Sequence, residues 1–505
     1  MDCLSNKELT RLVFVSVGLL IALGTTEFVR RRFGVSAEVG RKTVHIGTGV
    51  LILFAPGWFP RAAPVLLITV LFIILNIQAY AAGWLPSVHR SSRRSFGTIY
   101  YPLAFLILTA LFWERAPELA VVSMLVLAFG DGAAAAVGES IRSPHLYRIT
   151  SDQKSIEGTI AMIVAAMAAL ALTAWFLPSF SARIAPVLES PARLAAFTIS
   201  VSLFAGAWEA ASSRGLDNLT IPLMTALVLA HCLDGTSIER IDQFIAATGL
   251  ALCTAVVSYR SRFLEHSGAA ATFLLATLVY GFGGWMWTLP ILTFFVLSSV
   301  LSRTGRNLKR RMESLYEKGS TRDAGQVLAN GGAAGIILVL SVLLPDPRWY
   351  LAYLGSIAAV TADTWATELG AFSRSAPRHI VSFKRVEKGT SGAVSVMGSA
   401  GGVFGAVVTS AVGLLFLPAE ARSVATIALL AGCGLAAGGI DSLLGATMQV
   451  HFRCIVCEST TERRTHCGAQ TVPARGVRWM NNDVVNTICA CSGAAFAFLI
   501  FWGFA

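Results

Sequence analysis

The stretch Lys154-Ser155-Ile156-Glu157-Gly158-Thr159, running directly into Ile160-Ala-Met-Ile-Val-Ala-Ala-Met-Ala-Ala-Leu-Ala-Leu-Thr-Ala-Trp-Phe176, decides how this sequence folds. Its second part is apolar throughout and approaches the roughly 20 residues that a helix needs to cross bilayer hydrocarbon. Its first part sets a cation, a carboxylate, a hydroxyl and a glycine at that helix's N-terminus. The exposed N–H groups and positive dipole end there suit an anion. The alternative for this helix start is an ordinary cap beside an orienting lysine.

Apolar runs of the same kind recur outward from this point, among them Leu103–Phe112, Met286–Leu301 and Val484–Phe501. The chain has 505 residues, of which 55% are hydrophobic and 14% charged, with a mean hydropathy of +0.65. A soluble protein would carry about 25% charged residues. The expected fold is an all-α, polytopic integral membrane protein with about sixteen transmembrane helices in two fused halves. The halves are read as 1–235 and 236–505, with the seam near Cys232–His266. The first apolar run follows Asp2, Lys7 and Glu8 and has no small-residue cleavage site before Arg30-Arg31-Arg32. It reads as a retained helix rather than a signal peptide. Nine cysteines form no evident secreted disulfide framework.

The net charge of +11 does not indicate nucleic-acid binding, because no groove-reading module accompanies it. Lys and Arg gather in short loops between apolar runs, as in Arg142–Lys154, Arg303–Arg322, Arg374–Lys388 and Arg453–Arg478. With the N-terminus outside, every basic loop falls on one side, which the positive-inside rule makes cytoplasmic. The expected location is a bacterial inner membrane with the polar residues facing the cytoplasm.

The two halves share a pattern. Asp131-x-x-Ala134-x-x-x-Gly138 precedes a basic loop and a Gly158-Thr159 helix start, and Asp363-x-x-Ala366-x-x-x-Gly370 precedes a basic loop and Gly389-Thr390, read as a second helix start. Asp217-Asn218 and Asn482-Asp483 form a third correspondence, each before a late apolar run. A carboxylate centred in a lone membrane helix costs about 2.5–3.5 kcal/mol on insertion scales. Asp131 and Asp363 therefore either reach headgroup water at a helix end or hold a divalent metal for a polyanionic ligand. Arg41 and Lys42 begin another span as topology signals or phosphate contacts, with His45 one turn further in, able to contact a phosphate or shuttle a proton. Glu209, Arg214, Gly215, Asp217 and Asn218 make a polar elbow. In the second half, Gln326-Val-Leu-Ala-Asn330-Gly331-Gly332 follows the basic loop, and Asp441-Ser442 lies towards another cytoplasmic helix end. Cys454-x-x-Cys457 with His466-Cys467 matches either a zinc knuckle or free cytoplasmic thiols. Gly40-Arg41-Lys42-Thr43 echoes a phosphate-binding loop ending, but its spacing is wrong and no strand precedes it.

On these residues, positions 38–235 resemble the prenol and dolichol kinase family, which includes the phytol kinases. The resemblance rests on Arg41-Lys42-x-x-His45, Asp131-x-x-Ala134-x-x-x-Gly138, Lys154-Ser-x-Glu157-Gly158-Thr159, Glu209 and Gly215-x-Asp217-Asn218-x-x-x-Pro222. Positions 258–503 resemble the phytyl-phosphate kinases. There the matches include Arg303-x-Gly305, Gln326 to Gly332, Ala362-Asp363-Thr364-x-Ala366-x-Glu368-x-Gly370, Gly389-Thr390-Ser391-Gly392, Asp441-Ser442-x-x-Gly445-Ala446 and Asn482-Asp483-x-Val485-Asn486. Glu387-Lys388 departs from that family, which more often has prolines there.

The resemblance implies consecutive transfers of a nucleotide's terminal phosphate, typically from CTP, to a prenol such as phytol, geranylgeraniol or farnesol. The monophosphate forms first and then the diphosphate, a salvage product feeding tocopherol or quinone synthesis. It implies that Asp131, with Glu157 or Asp217, holds Mg2+ in the first site. Lys154 and Arg41 neutralise charge there, and His45 or Asp217 takes the hydroxyl proton. Lys42, Gly138, Ser155, Gly158, Thr159 and Asn218 complete the phosphate contacts. For the second site it implies the acids Asp363, Asp441 and Asp483, with Asp363 on Mg2+. Arg306, Lys309 and Arg322 neutralise phosphates beside Gln326, Asn330, Gly370, Gly389, Thr390 and Ser391. Two other classes remain open: a CTP-dependent lipid cytidylyltransferase, and a transporter, against which the one-sided acids speak.

Overall fold

The computed structural model describes residues 6–34, 37–82, 96–234, 238–304 and 321–501. Arg306 and Lys309 lie outside the described residues. The chain is helical, with short strands confined to loops. Eleven helices among the described residues are long and apolar enough to cross a membrane. Two further apolar helices, Gly97–Phe112 and Asp217–Leu233, are shorter. Ala37–Trp58 and Arg348–Gly370, which carry Arg41 to His45 and Asp363, are not among the eleven. The count of about sixteen is thus not reached by length and composition.

The chain divides into two compact units, Met1–Thr248 and Gly249–Ala505. The division falls within helix Ile238–Arg260.

In the first unit the helices in chain order are α1 (Asn6–Phe33), α2 (Ala37–Trp58), α3 (Ala62–Ala82), α4 (Gly97–Phe112) and α5 (Pro117–Ser140). A hairpin of β1 (Leu146–Arg148) and β2 (Gln153–Ser155) follows, then α6 (Ile156–Phe176), two short turns α7 (Pro178–Arg183) and α8 (Ala185–Leu188), α9 (Pro191–Ala211) and α10 (Asp217–Leu233). Helix α5 is the core: Leu119 to Ala128 are buried along its whole circumference, and α2, α6 and α10 pack around it. An all-round apolar helix has no polar face to give to water, so it settles at the centre. The α6 residues Ile160, Val164, Leu172 and Trp175 stay exposed, on surface suited to lipid.

After α11 (Ile238–Arg260), the second unit runs α12 (His266–Arg303), α13 (Ala324–Leu343), α14 (Arg348–Gly370), β3 (Arg378–His379), β4 (Ala393–Val394), α15 (Val396–Leu414), α16 (Val424–Thr447) and α17 (Asn482–Ile500). Helix α12 breaks at Gly284, whose φ of 58° lies outside the helical region. Helix α14 takes the central place, buried from Ala352 to Ala362 and surrounded by α12, α13, α15, α16 and α17. Both units therefore use one plan: a central helix, an antiparallel hairpin, a helix packed on the first, and two further helices. Between α16 and α17 lies a small sheet ordered β6–β5–β9 (Thr460–Thr461, His451–Arg453, Val472–Arg475) beside a hairpin β7–β8 (Thr465–His466, Ala469–Gln470).

The shared plan corrects the register of the sequence repeat. Gly389-Thr390 opens no helix; it lies in the loop before β4, with Gly389 at φ 88°. The counterpart of Ser155-x-x-Gly158 is Ser395-x-x-Gly398. Each serine caps its helix by accepting from the N–H of the glycine three residues on, at 3.1 Å in both cases. A Cβ on Gly158 would stand 3.0 Å from Ala134 O, and one on Gly398 would stand 2.8 Å from Ala366 O. The Ala of each D-x-x-A-x-x-x-G motif thus marks where the two helices touch, and only glycine permits the contact.

Candidate active sites

In the first unit α2 carries Arg41, Lys42 and His45 to the C-terminal half of α5. Lys42 Nζ forms an ion pair with Asp131 Oδ2, and both side chains are largely buried. His45 is buried and stacks on Tyr101 with ring centroids 4.5 Å apart, while its Nδ1 has no hydrogen-bond partner among the described residues. Arg41 lies close enough for its charge to act on both His45 and Asp131.

A second pair completes this site. In the β1–β2 hairpin Tyr147 stands opposite Lys154, and Lys154 Nζ reaches Glu209 Oε1 on α9 and Asp217 Oδ2 at 3.6 Å. Burial alone would lower the Lys154 pKa, but the Asp217 and Glu209 carboxylates outweigh it and hold the ammonium above its ordinary value. Asp131 adds to this stabilisation, so the two lysines share one polar site. Thr159 Oγ1 donates to Glu209 Oε2 at 3.5 Å and shares a 2.6 Å hydrogen bond with the Tyr147 hydroxyl. Burial raises the Tyr147 pKa, so that hydroxyl stays protonated. Asp217 Oδ1 accepts from the Asn218 N–H at 3.0 Å, and Asn218 Nδ2 donates to Gly215 O. Asn218 Oδ1 is buried without a partner among the described residues. Gly138 lies against Ser155 Oγ and Gly158, at the helix crossing.

Glu157 stands elsewhere. Its carboxylate accepts from the His145 N–H at 3.1 Å and pairs with His145 Nδ1 at 2.7 Å, closing the base of the hairpin. The acids that join Lys154 are Glu209 and Asp217; the sequence named Glu209 in the polar elbow and in the resemblance but gave it no role. A Lys–Glu pair across 55 residues leaves no spacing signal; an acid near the end of an otherwise apolar helix was the available one.

The second unit holds a cavity of about 650 Å3, within the 300–1,000 Å3 range of small-ligand sites. Its wall includes Arg322, Gln326, Asn330, Asp363, Gly370, Gly389, Thr390, Ser391 and Asp441, so the second-site residues within the described segments come together, apart from Asp483. On α17 it is Asn482 and Asn486, one helical turn apart, that line the cavity. The Asp363 and Asp441 carboxyl groups meet in hydrogen-bond contact, and Asp441 Oδ2 is buried without a partner among the described residues. Two adjacent buried carboxyls cannot both ionise unless a cation or proton sits between them. Burial lowers the Arg322 pKa against the opposing pull of Glu368, itself a wall residue.

Several wall residues went unmarked in the sequence. Lys388 belongs to the Glu387-Lys388 departure; its Nζ donates to the carbonyls of Ala371 and Ser373, which aim it along the wall. Gln449 and Glu462 come from the segment around the small sheet, and Ser391 Oγ reaches Gln449 Oε1 at 2.8 Å and Glu462 Oε1 at 3.5 Å. Cys454, Cys457, His466 and Cys467 cluster with their ligand atoms within 4.8 Å of one another.

Residues 249–494 match the family described as Integral membrane protein DUF92. The chain is 32% identical over 234 residues to a protein of Synechocystis sp. named phytol kinase, covering 44% of this chain and 94% of that relative. It is 31% identical over 256 residues to Protein PGR of Arabidopsis thaliana, covering 46% and 86%. To the chloroplastic Protein VTE6 of the same plant it is 24% identical over 245 residues, covering 47% and 65%. No solved structure matches the chain.

Proposed function

This chain belongs to the phytol kinase family, and from that premise we propose that it phosphorylates a long-chain isoprenoid alcohol twice. The first unit would make the monophosphate and the second the diphosphate, with a nucleoside triphosphate, CTP by resemblance, as donor in both. The observation that carries this reading is the 650 Å3 cavity of the second unit, which an acid pair lines together with basic Arg322 and Lys388. Phosphoryl transfer asks a protein for positioning and charge neutralisation more than for covalent chemistry, and that wall offers both.

In the first site His45, with Nδ1 buried and without a hydrogen-bond partner among the described residues, is the group assigned to receive the prenol hydroxyl proton as the oxygen attacks the terminal phosphorus. The bond to the leaving nucleoside diphosphate breaks as the new P–O bond forms. Lys154 and Arg41 balance the charge that spreads over the phosphoryl oxygens. The proposed lipid position has the hydroxyl at the polar helix ends and the prenyl tail among the exposed apolar faces of the spans.

The two units suit a divalent cation differently. Asp363 and Asp441 are hard oxygen donors side by side, one with an oxygen that has no partner among the described residues, and that donor set fits Mg2+. When bound, the ion would neutralise phosphate charge. In the first unit Lys42 already occupies Asp131 Oδ2 and Glu157 is held by His145, so a metal there competes with Lys42.

The test is to incubate membranes with phytol and CTP labelled at the terminal phosphate. Label is expected in both prenyl monophosphate and diphosphate. Label in the monophosphate alone removes the second activity. Release of labelled pyrophosphate with CMP on the lipid would establish the cytidylyltransferase instead.

A further inference from the structure

The segment between α16 and α17 carries three cysteines and a histidine, none of which lines the second cavity. Cys454 and Cys457 flank a tight turn closed by the Glu458 N–H to Cys454 O at 3.0 Å, and the Cys454 N–H returns to Ser459 O at 3.0 Å. His466 and Cys467 lie at the tip of the β7–β8 hairpin, where His466 pairs with Ala469 across a two-residue Cys467-Gly468 turn. Both turns hold the backbone in the left-handed region just at or after a ligand: Glu458 at φ 59°, Cys467 at 50° and Gly468 at 74°. For Glu458 and Cys467 that conformation is costly, and it persists where the surroundings enforce it.

The spacing of the ligand atoms is metric. Zn–S bonds of about 2.3 Å and Zn–N bonds of about 2.0–2.1 Å set tetrahedral S···N edges of roughly 3.6 Å and S···S edges of roughly 3.8 Å. Here Cys457 Sγ stands 3.5 Å from His466 Nδ1 and Cys467 Sγ stands 3.3 Å from it, with all four ligand atoms within 4.8 Å. The Val456 N–H points at Cys454 Sγ, 3.4 Å away, as a donor to a sulfur ligand does. We infer that Cys454, Cys457, His466 and Cys467 bind one Zn2+ in a closed, four-ligand structural site.

The consequence lies in what the segment presents. Glu462 sits between the two ligand pairs in sequence, is buried, and lines the second cavity. Without a cross-link, a segment of two- to four-residue strands has little to fix it. The metal holds it closed and so sets Glu462 on the cavity wall. This last step rests on the phosphate-transfer reading of the cavity; the metal site does not.

Full-length protein purified in detergent under reducing conditions is the material for the test. Elemental analysis is expected to find about one zinc per chain, and cobalt exchange to give the visible bands of a tetrahedral thiolate site. Cys457→Ser combined with Cys467→Ser is expected to lower zinc on the order of tenfold or more, while Cys253→Ser and Cys491→Ser leave it unchanged. Chelation is expected to open the segment to trypsin at Arg453 and Arg464. Zinc-free protein with three titratable thiols here, a disulfide between these cysteines, iron in place of zinc, or zinc content indifferent to the double variant would each overturn the site. Lost diphosphate synthesis in zinc-loaded protein would count against the cavity reading alone.

Discussion

In Met1–Thr248, Asp131 and Glu209 each lie against a lysine, Lys42 and Lys154. In Gly249–Ala505, Asp363 and Asp441 lie against one another. The acids occupy matching places in one helix plan: the D-x-x-A-x-x-x-G motif of the central helix, and the second long helix after it. Their surroundings differ in kind. A buried acid already paired with lysine has its charge balanced inside the protein, whereas an acid pair must import a proton or a cation. Repetition of a fold thus preserved where the acids stand without preserving how they are neutralised.

That contrast can be broken most decisively at Asp363. Asp363→Asn is expected to lower diphosphate formation on the order of 10^3-fold, the loss typical when a group stabilising transition-state charge is removed. Monophosphate formation should persist, as measured by labelled products in the same membranes. Equal loss of both products would end the assignment of one activity to each unit.

The next largest effect is expected at Lys154. Lys154→Met leaves Glu209 and Asp217 buried beside no lysine at that position, and breaking a buried pair from one side costs about 3–5 kcal/mol. Thermal unfolding in detergent should shift down and monophosphate synthesis should fall, with Lys154→Arg recovering part of both. A variant as stable as the parent would show that this pair is not the internal counter-charge that separates the two sites.

The smallest effect sharpens the likeness rather than the contrast. Gly158→Ala and Gly398→Ala should each destabilise by about 1–3 kcal/mol, the range for overpacking a close contact. Both new methyls meet a carbonyl oxygen of the neighbouring helix. Similar losses in melting experiments support the Ser155/Ser395 register. A cost at Gly158 with none at Gly398 would return the repeat to the register read from sequence.

Much of this was legible before the structure. The apolar runs required helices in a bilayer, because backbone groups in hydrocarbon must be satisfied within the segment. Gln326, Asn330, Asp363 and Asp441 could be picked out because polar residues at the ends of apolar runs are conspicuous, whereas Ser391 came only from the family resemblance. Glu157 was equally conspicuous and stands apart, since a helix-start carboxylate has a local partner available, here His145. Lys388 and Glu462 were hidden in loops already rich in charge.

The sequence by itself determined that the chain is a repeated, helical membrane protein with polar residues at helix ends, because hydropathy is a property of each segment alone. Only the tertiary structure decided which acid meets which cation. Lys42 finds Asp131 across 89 residues, Lys154 finds Glu209 across 55, and Asp363 finds Asp441 rather than a lysine. Those partnerships depend on which faces the packed helices turn toward one another, and close contacts such as Gly158 on Ala134 set that rotation.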